Sequence, residues 1–363
     1  MRKYEEVLLG ILASSVSDDT LASNLPLPLD DAEWTELVRV ARLHGVASIV
    51  ADEMQKMPNE WLPKKKIVMQ LIGHIVNQTK RYAWQVATAN KLALALKERG
   101  VEMKVLKGIS FSTYYHKPEL RECGDCDIYL GDDFEMGNRV ICEIGGTSEF
   151  GTYKHSHMHL DGLLIENHRY ITDFNGTKRG KALERLLQKY AGLPGDMIKG
   201  TELVRPCAHF NALHMMRHAY GNFINEGMTL RMIYDWAVFL QKEQNSIDWP
   251  KLYRDFHSCR LREFVDIMTG LCTRYLGLTF TNKDIIMKEN ITLLEEIMLD
   301  TLRNEYHMIP NESSWHKVKR IWARFRRMWH YRGIAMEGFS VMVWNAFAFS
   351  SYMKRDIRLE SYE

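Results

Sequence analysis

Residues 105–130 read VLKGISFSTYYHKPELRECGDCDIYL, and the reading of this stretch decides the fold. Val101 to Leu106 alternates apolar and polar residues as a strand does, and Lys107-Gly108 then opens a short helical segment, Ile109 to Tyr115. Cys126 to Leu130 reads as a second strand. A helix from Asp132 or Asp133 to Ile144 follows and stops at Gly145-Gly146. Two further strands, His155 to Leu160 and Leu163 to Tyr170, flank an Asp161-Gly162 turn signal. This order predicts a small mixed sheet with helices on one side.

On both sides of this island the period is helical. From Tyr4 to Gly100 apolar residues recur at spacings of three and four, as in Trp34, Leu37, Val38 and Ala41. Pro26 and Pro28 followed by Asp30 and Asp31 read as a stop and then a helix N-cap. Beyond Lys181 the helical stretches are Ala182–Tyr190, Pro206–Tyr220, Leu230–Lys242, Trp249–Leu276 and Ile285–Asn304. The expectation is an α+β protein in three parts: a helical block at 1–99, a catalytic core at 100–176 and a helical domain at 177–363.

Composition bounds the class without naming a chemistry. The 363 residues carry 48 Lys+Arg and 46 Asp+Glu, a net charge of +2, and at this level nothing suggests a nucleic-acid coat protein or an acidic tail. With 46% apolar and 26% charged residues the chain is not intrinsically disordered. Six scattered cysteines fit a reducing compartment rather than a disulfide framework. The N-terminal VLLGILA run follows Glu5 and Glu6 and reads as an amphipathic helix, not a secretory signal. No transmembrane segment is expected, and the location expected is cytoplasmic.

Asp125 and Asp127 stand two apart at the start of a strand, so both carboxylates are expected on one face. Two buried carboxylates repel, and a divalent cation such as Mg²⁺ resolves the conflict by joining them to phosphate oxygens. Glu166, which alternates with apolar neighbours on a later strand, is the candidate third acid. An isolated Asp-x-Asp is more often a solvated strand end. Here it follows Arg121-x-x-Gly124 and a strand that ends in Lys107-Gly108-x-Ser110 and turns into a helix. A helix start reached through glycine offers free N–H groups to phosphate, and Lys107 and Arg121 add positive charge.

This string resembles the core motif of the nucleotidyltransferase superfamily, which includes DNA polymerase β and the aminoglycoside nucleotidyltransferases. It is more similar still to a bacterial group with a Leu-Lys-Gly … Arg-x-x-Gly-Asp-x-Asp pattern, whose later strand carries an acid and a histidine, as Glu166 and His168 do here. The motif spans residues 104 to 170, with weaker helical similarity to Leu240. Gly108 and Ser110 are separated by Ile109, where the superfamily commonly has adjacent residues, and Arg169 replaces a frequent Trp. The resemblance implies a two-metal transfer in which Asp125, Asp127 and Glu166 hold Mg²⁺, and a nucleoside monophosphate passes from an NTP to an acceptor hydroxyl as pyrophosphate leaves. It implies nucleotide binding by Lys107, Gly108, Ser110, Arg121 and Gly124. A histidine and an Arg…Asp helix also recur in the group, making His168, Arg231 and Asp235 candidates to close the cleft. Its association with surface-polysaccharide genes favours a sugar-linked acceptor.

Other patterns are weighed against simpler readings. Cys123-x-x-Cys126 has no second pair and precedes a strand, so it is read as coincidence rather than a zinc site. His155, His157 and His159 alternate along one strand face and can hold a transition metal, line the nucleotide cleft or simply form the polar side of a sheet. His214 and His218, four apart with Arg217 beside them, lack the Glu of a zinc-protease motif, but the resembled group places a histidine in this helical region, which makes them candidates to close the nucleotide or acceptor cleft. Arg231 and Asp235, four apart, read on their own as a helix-surface ion pair.

Trp315 to Arg332 carries seven Lys and Arg and no acid, interleaved with Trp322, Phe325, Trp329 and Tyr331. With the apolar stretch that follows, residues 315–349 suit a membrane surface or nucleic acid, or equally a solvated helix face. Two other functions compete: a glycosyltransferase using Asp125-x-Asp127 on a sugar nucleotide, and a non-catalytic nucleotide-binding or antitoxin-like partner protein.

Overall fold

A computed structural model describes residues 1–17, 25–172, 177–303 and 314–343. The N-terminal helices are α1 (Lys3–Ser17), α2 (Asp31–Leu43), α3 (Ala47–Met54) and the long α4 (Lys65–Lys97). Asp30 caps α2 as its sequence predicts: its carboxylate accepts from Glu33 N at 2.8 Å, and Glu33 accepts from Asp30 N at 2.9 Å. The central part comprises β1 (Lys104–Val105), α5 (Lys107–Ser112), β2 (Cys126–Tyr129), α6 (Phe134–Glu143), β3 (Thr147–Gly151), β4 (His155–Leu160) and β5 (Leu163–His168). Then follow α7 (Lys178–Ala191), β6 (Asp196–Met197), β7 (Val204–Arg205), α8 (Ala208–Asn225), α9 (Leu230–Glu243), α10 (Trp249–Ser258), α11 (Arg262–Leu276), α12 (Ile291–Leu302) and α13 (Ser314–His330). No helix among the described residues is long and apolar enough to cross a membrane.

The described strands form one mixed sheet in the order β3-β4-β5-β2-β1-β7-β6. β2 and β5 run parallel, with Asp127 opposite Glu166, and β4 runs antiparallel to β5, with His157 opposite Glu166. Residues directly opposite share a face, so His157, Glu166 and Asp127 form one row across three strands. The opposite face carries Ile128, Ile165, Met158 and Leu160, buried with Leu92 and Leu96 of α4 and Val140 and Ile141 of α6. That alternation fixes the register, because slipping one strand by a residue would turn its acid into this core. A larger core, with Trp34, Phe210, Trp236 and Phe264, joins the N-terminal helices to α8, α9 and α11.

The expected α+β class stands, with helical parts before and after the sheet. Three strands were not anticipated. β3 is polar, and β6 and β7 have two residues each, too short for a period to show. β6 and β7 also lie beyond the 100–176 range assigned to the core. The strand expected over Val101–Leu106 shortens to Lys104–Val105. Trp249–Leu276, expected as one helix, breaks into α10 and α11 at Arg260, whose φ of 54° ends the first helix.

Candidate active site

The site is built where β1 passes into α5. The Leu106 N–H donates to the Asp127 carbonyl at 2.8 Å, tying the start of the helix to β2. Lys107 and Gly108 then take φ values of 30° and 23°, so the chain kinks at the helix entrance. Gly108 tolerates that conformation, and any Cβ there would sit 3.4 Å from the Asp125 carbonyl. The kink carries Lys107 Nζ to 2.6 Å from Asp127 Oδ1.

Asp127 is 2% exposed and is the electrostatic centre of the site. Burial alone would raise its pKa, but Lys107 and then the hydrogen bond from His168 hold the carboxyl well below the usual range. His168 is fully buried: its Nε2 lies 2.9 Å from Asp127 Oδ1, and its Nδ1 lies 3.1 Å from the Tyr170 carbonyl. Both ring nitrogens therefore face acceptors, which requires the imidazolium. Burial opposes that charge, and the Asp127 and Glu166 carboxylates override it and raise the pKa. Glu166 Oε2 stands 3.6 Å from His168 Nε2. Burial would raise Glu166, but His168 holds it down.

Asp125 behaves differently. Burial and the adjacent Asp127 push its carboxyl up, with only partial relief from Lys107. It is short of positive charge, which is the condition a hard cation relieves.

A stability signature follows from His168. Because its folded pKa is raised, its contribution is complete below the unfolded value of about 6.5 and disappears as pH rises through the folded value. Melting of the wild type between pH 6 and 9 is expected to show this decline, and His168→Asn is expected to remove it. Equal pH slopes for the two proteins would contradict the assignment.

The other residues expected in the site fall into two groups. Gly124 borders open space, and its carbonyl accepts from Gln85 Nε2 at 2.7 Å. Arg121, Ser110, Arg231 and Asp235 have different surroundings from those the motif implies. Arg121 is buried and forms a bidentate pair with Asp235, Nε–Oδ1 at 2.8 Å and Nη2–Oδ2 at 2.9 Å. Its Nη1 donates to the Gly108 carbonyl at 3.3 Å, so it props the kink from behind. Ser110 is fully buried, with Oγ 3.5 Å from Asn211 Oδ1. The Arg231–Asp235 surface pair does not form. Asp235 is taken by Arg121 and by the Tyr115 hydroxyl at 2.8 Å, while Arg231 Nη1 donates to the Glu122 carbonyl at 2.9 Å.

Two contributors, Gln78 and Gln85, were not identified from sequence. Gln78 and Gln85 of α4 donate to the carbonyls of Arg121 at 3.1 Å and Cys123 at 3.2 Å, holding the loop that carries the acids. Their seven-residue spacing inside the apolar stripe of Leu71, Leu92 and Leu96 was the available signal. His214 and His218 of α8, together with Lys107, Lys154, Arg217 and Arg324, line a cavity of about 400 Å³ beside the acids. His214 is buried, with an unpartnered Nδ1, and burial, then Lys107, lower its pKa well below the ordinary histidine range. Of the histidine row, His155 and His157 lie beside Glu166, whereas His159 pairs with Glu149 at 3.0 Å. Burial pushes His155 down to about 3.

Asp127 and Glu166 in register on adjacent parallel strands, Lys107 at the glycine-kinked entrance of α5 and the cavity that Lys107 lines thus lie together. A family model described as uncharacterised nucleotidyltransferase matches residues 30–277. The chain belongs to that family and is a nucleotidyltransferase. No curated protein and no solved structure matches it.

Proposed function

We propose that the protein transfers a nucleoside monophosphate from an NTP to an acceptor hydroxyl in a divalent-cation-dependent reaction that releases pyrophosphate. The observation that carries this reading is Asp127 facing Glu166 across β2 and β5, with Lys107 delivered to the same point by the kink. Asp127, Glu166 and His168 each offer a ligand atom within 4.8 Å of the others, and Asp125, raised by burial and by the nearby Asp127 and Glu166 with only partial relief from Lys107, lacks compensating charge, which suits Mg²⁺. Asp125, Asp127 and Glu166 would hold the ion, which when bound supplies charge neutralisation at the transferring phosphate.

The chain's own groups have distinct tasks. Asp127 stays ionised because Lys107 and His168 flank it. Lys107 has a flexible stem and three donors, so it can exchange Asp127 for a phosphate oxygen as nucleotide enters. Arg121 acts at one remove, fixing Gly108 so that the α5 entrance keeps its shape. Lys107, Lys154, Arg217 and Arg324 outnumber Glu226 and Glu337 around the adjoining cavity, a balance suited to phosphates or an anionic acceptor. Family membership sets aside the sugar-nucleotide and non-catalytic alternatives. Incubation with each α-labelled NTP and Mg²⁺ is expected to yield pyrophosphate and label on an acceptor. Hydrolysis to free NMP alone, or consumption of sugar nucleotides instead, would contradict the reading.

The basic segment extends the proposal to an anionic surface. Residues 344–349 lie outside the described part of the chain, but α13 exposes Trp315 (64%), Ile321 (53%) and Trp322 (63%) beside Lys317 and Lys319. An exposed apolar stripe flanked by cations fits an anionic lipid surface better than nucleic acid, which does not reward buried aliphatic area. Flotation with phosphatidylglycerol vesicles is expected to carry the protein, and Trp315→Ala/Trp322→Ala to reduce recovery about tenfold. Absence from the lipid fraction with retention on RNA would favour nucleic acid.

A further inference from the structure

The row of acids continues past Glu166 into histidines that the transfer chemistry does not use. β4 lies antiparallel to β5 in a register that sets His157 opposite Glu166 and His155 opposite His168. His157 Nε2 is 3.6 Å from Glu166 Oε1, and His155 Nδ1 is 3.8 Å from Glu166 Oε2. The Nε2 atoms of the two imidazoles approach to 2.7 Å. One ligand atom from each of His155, His157 and Glu166 lies within 4.8 Å of the others. His155 Nδ1 is buried without a hydrogen-bond partner. Nitrogen of this kind is seldom left without a partner, and it faces the Glu166 carboxylate.

We propose that His155, His157 and Glu166 form a binding site for a zinc-class transition-metal ion adjoining the carboxylate site. Two imidazoles and one carboxylate, with a position left for water, are a donor set that selects Zn²⁺ over Mg²⁺. A tetrahedral ion with bonds of about 2.0–2.1 Å sets its ligand atoms about 3.3 Å apart. With His155 binding through Nδ1, its 3.8 Å and the 3.6 Å of His157 Nε2 to the Glu166 oxygens lie within about 0.5 Å of that, and the Nε2–Nε2 contact between the imidazoles opens by small χ rotations.

His159, the third histidine of the sequence row, is outside the site. It is on the same face but at the more exposed end of β4, paired with Glu149. Glu166 turns Oε1 toward His157, while Oε2 lies between His155 and His168 on the side of Asp127. One carboxylate thus links the two sites, and a zinc ion would fix its orientation without adding a group to the transfer itself.

The test requires no nucleotide, so its outcome is separate from that of the transferase reading. Untagged full-length protein is loaded with ZnCl₂, desalted in excess Mg²⁺ and assayed for metal by mass spectrometry. The expected result is one zinc per chain in wild type and His159→Ala, and at least a tenfold lower content in His155→Ala and His157→Ala. Should His155→Ala fail to fold, His157→Gln gives the same comparison, with the circular dichroism melt confirming fold. Loading with Co²⁺ is expected to give the visible absorption of a four-coordinate ion in wild type and to lose it in His157→Gln. Zinc at background level in folded wild type, or retained in folded His157→Ala and His157→Gln, overturns the proposal.

Discussion

Asp127→Asn is expected to lower transfer turnover by about 10³-fold, the equivalent of roughly 4 kcal/mol of transition-state stabilisation. The substitution keeps the shape of the side chain and removes the charge that Lys107 Nζ at 2.6 Å and His168 Nε2 at 2.9 Å are arranged around. Two cationic groups would then face a neutral amide in a buried site, so the raised pKa of His168 is expected to fall back. Its sign differs from the histidine effect. Asp127 has a lowered folded pKa, so its stabilisation is complete above an unfolded value of about 3.9 and lost as pH falls below it. Acid unfolding of the Asn variant is therefore expected to lose part of that steep low-pH limb. Steady-state turnover and acid titration check the two consequences separately. Turnover within a few-fold of wild type would remove Asp127 from the chemistry.

The second large effect concerns Asp235, which is buried against Arg121 and Tyr115. Asp235→Ala leaves the Arg121 guanidinium buried without its carboxylate, and breaking such a pair costs about 3–5 kcal/mol. Denaturant midpoints are expected to fall accordingly. Arg121→Met/Asp235→Leu is expected to recover much of that stability, since apolar replacement of a buried pair is often neutral or favourable. Activity is not expected to return with it. Arg121 Nη1 also holds the Gly108 carbonyl, and without that contact the kink that aims Lys107 is less defined. Recovery of stability and full activity together would show that Arg121 is only a packing residue.

The contrast between Asp127 and Asp235 marks where the sequence was readable. Strand alternation around Cys126–Leu130 and Leu163–Tyr170 was local, and with the strand that ends in Lys107-Gly108 it disclosed the sheet, the acids and the lysine. What could not be read was pairing between distant segments. Asp127 meets Glu166 only because β2 and β5 are parallel neighbours, and parallel register leaves no local mark. Arg231 and Asp235 are four apart, and helix spacing alone predicts that they interact. A guanidinium 114 residues away offers Asp235 two parallel hydrogen bonds in a dry site, and this outweighs a solvated pair on one helix. Ser110 was misplaced for a related reason: the kink at Lys107 and Gly108 turns α5 so that its hydroxyl enters the core beside Asn211.

The histidines show the same limit. Alternation placed His155, His157 and His159 on one face, but only the β4–β5 register separates the two that meet Glu166 from the one that meets Glu149. His214 and His218 were expected only through the resemblance, as cleft candidates without a site in the sequence, and α8 carries them to the cavity that Lys107 lines.

The central claim is that Asp125 and Asp127 join a divalent cation to nucleotide phosphates. Titration calorimetry of an NTP into wild type and into Asp125→Asn/Asp127→Asn, each with and without Mg²⁺, tests it most directly. The account predicts Mg²⁺-dependent binding in wild type that the double variant loses while remaining folded. Unchanged Mg²⁺-dependent nucleotide binding in the double variant would contradict it.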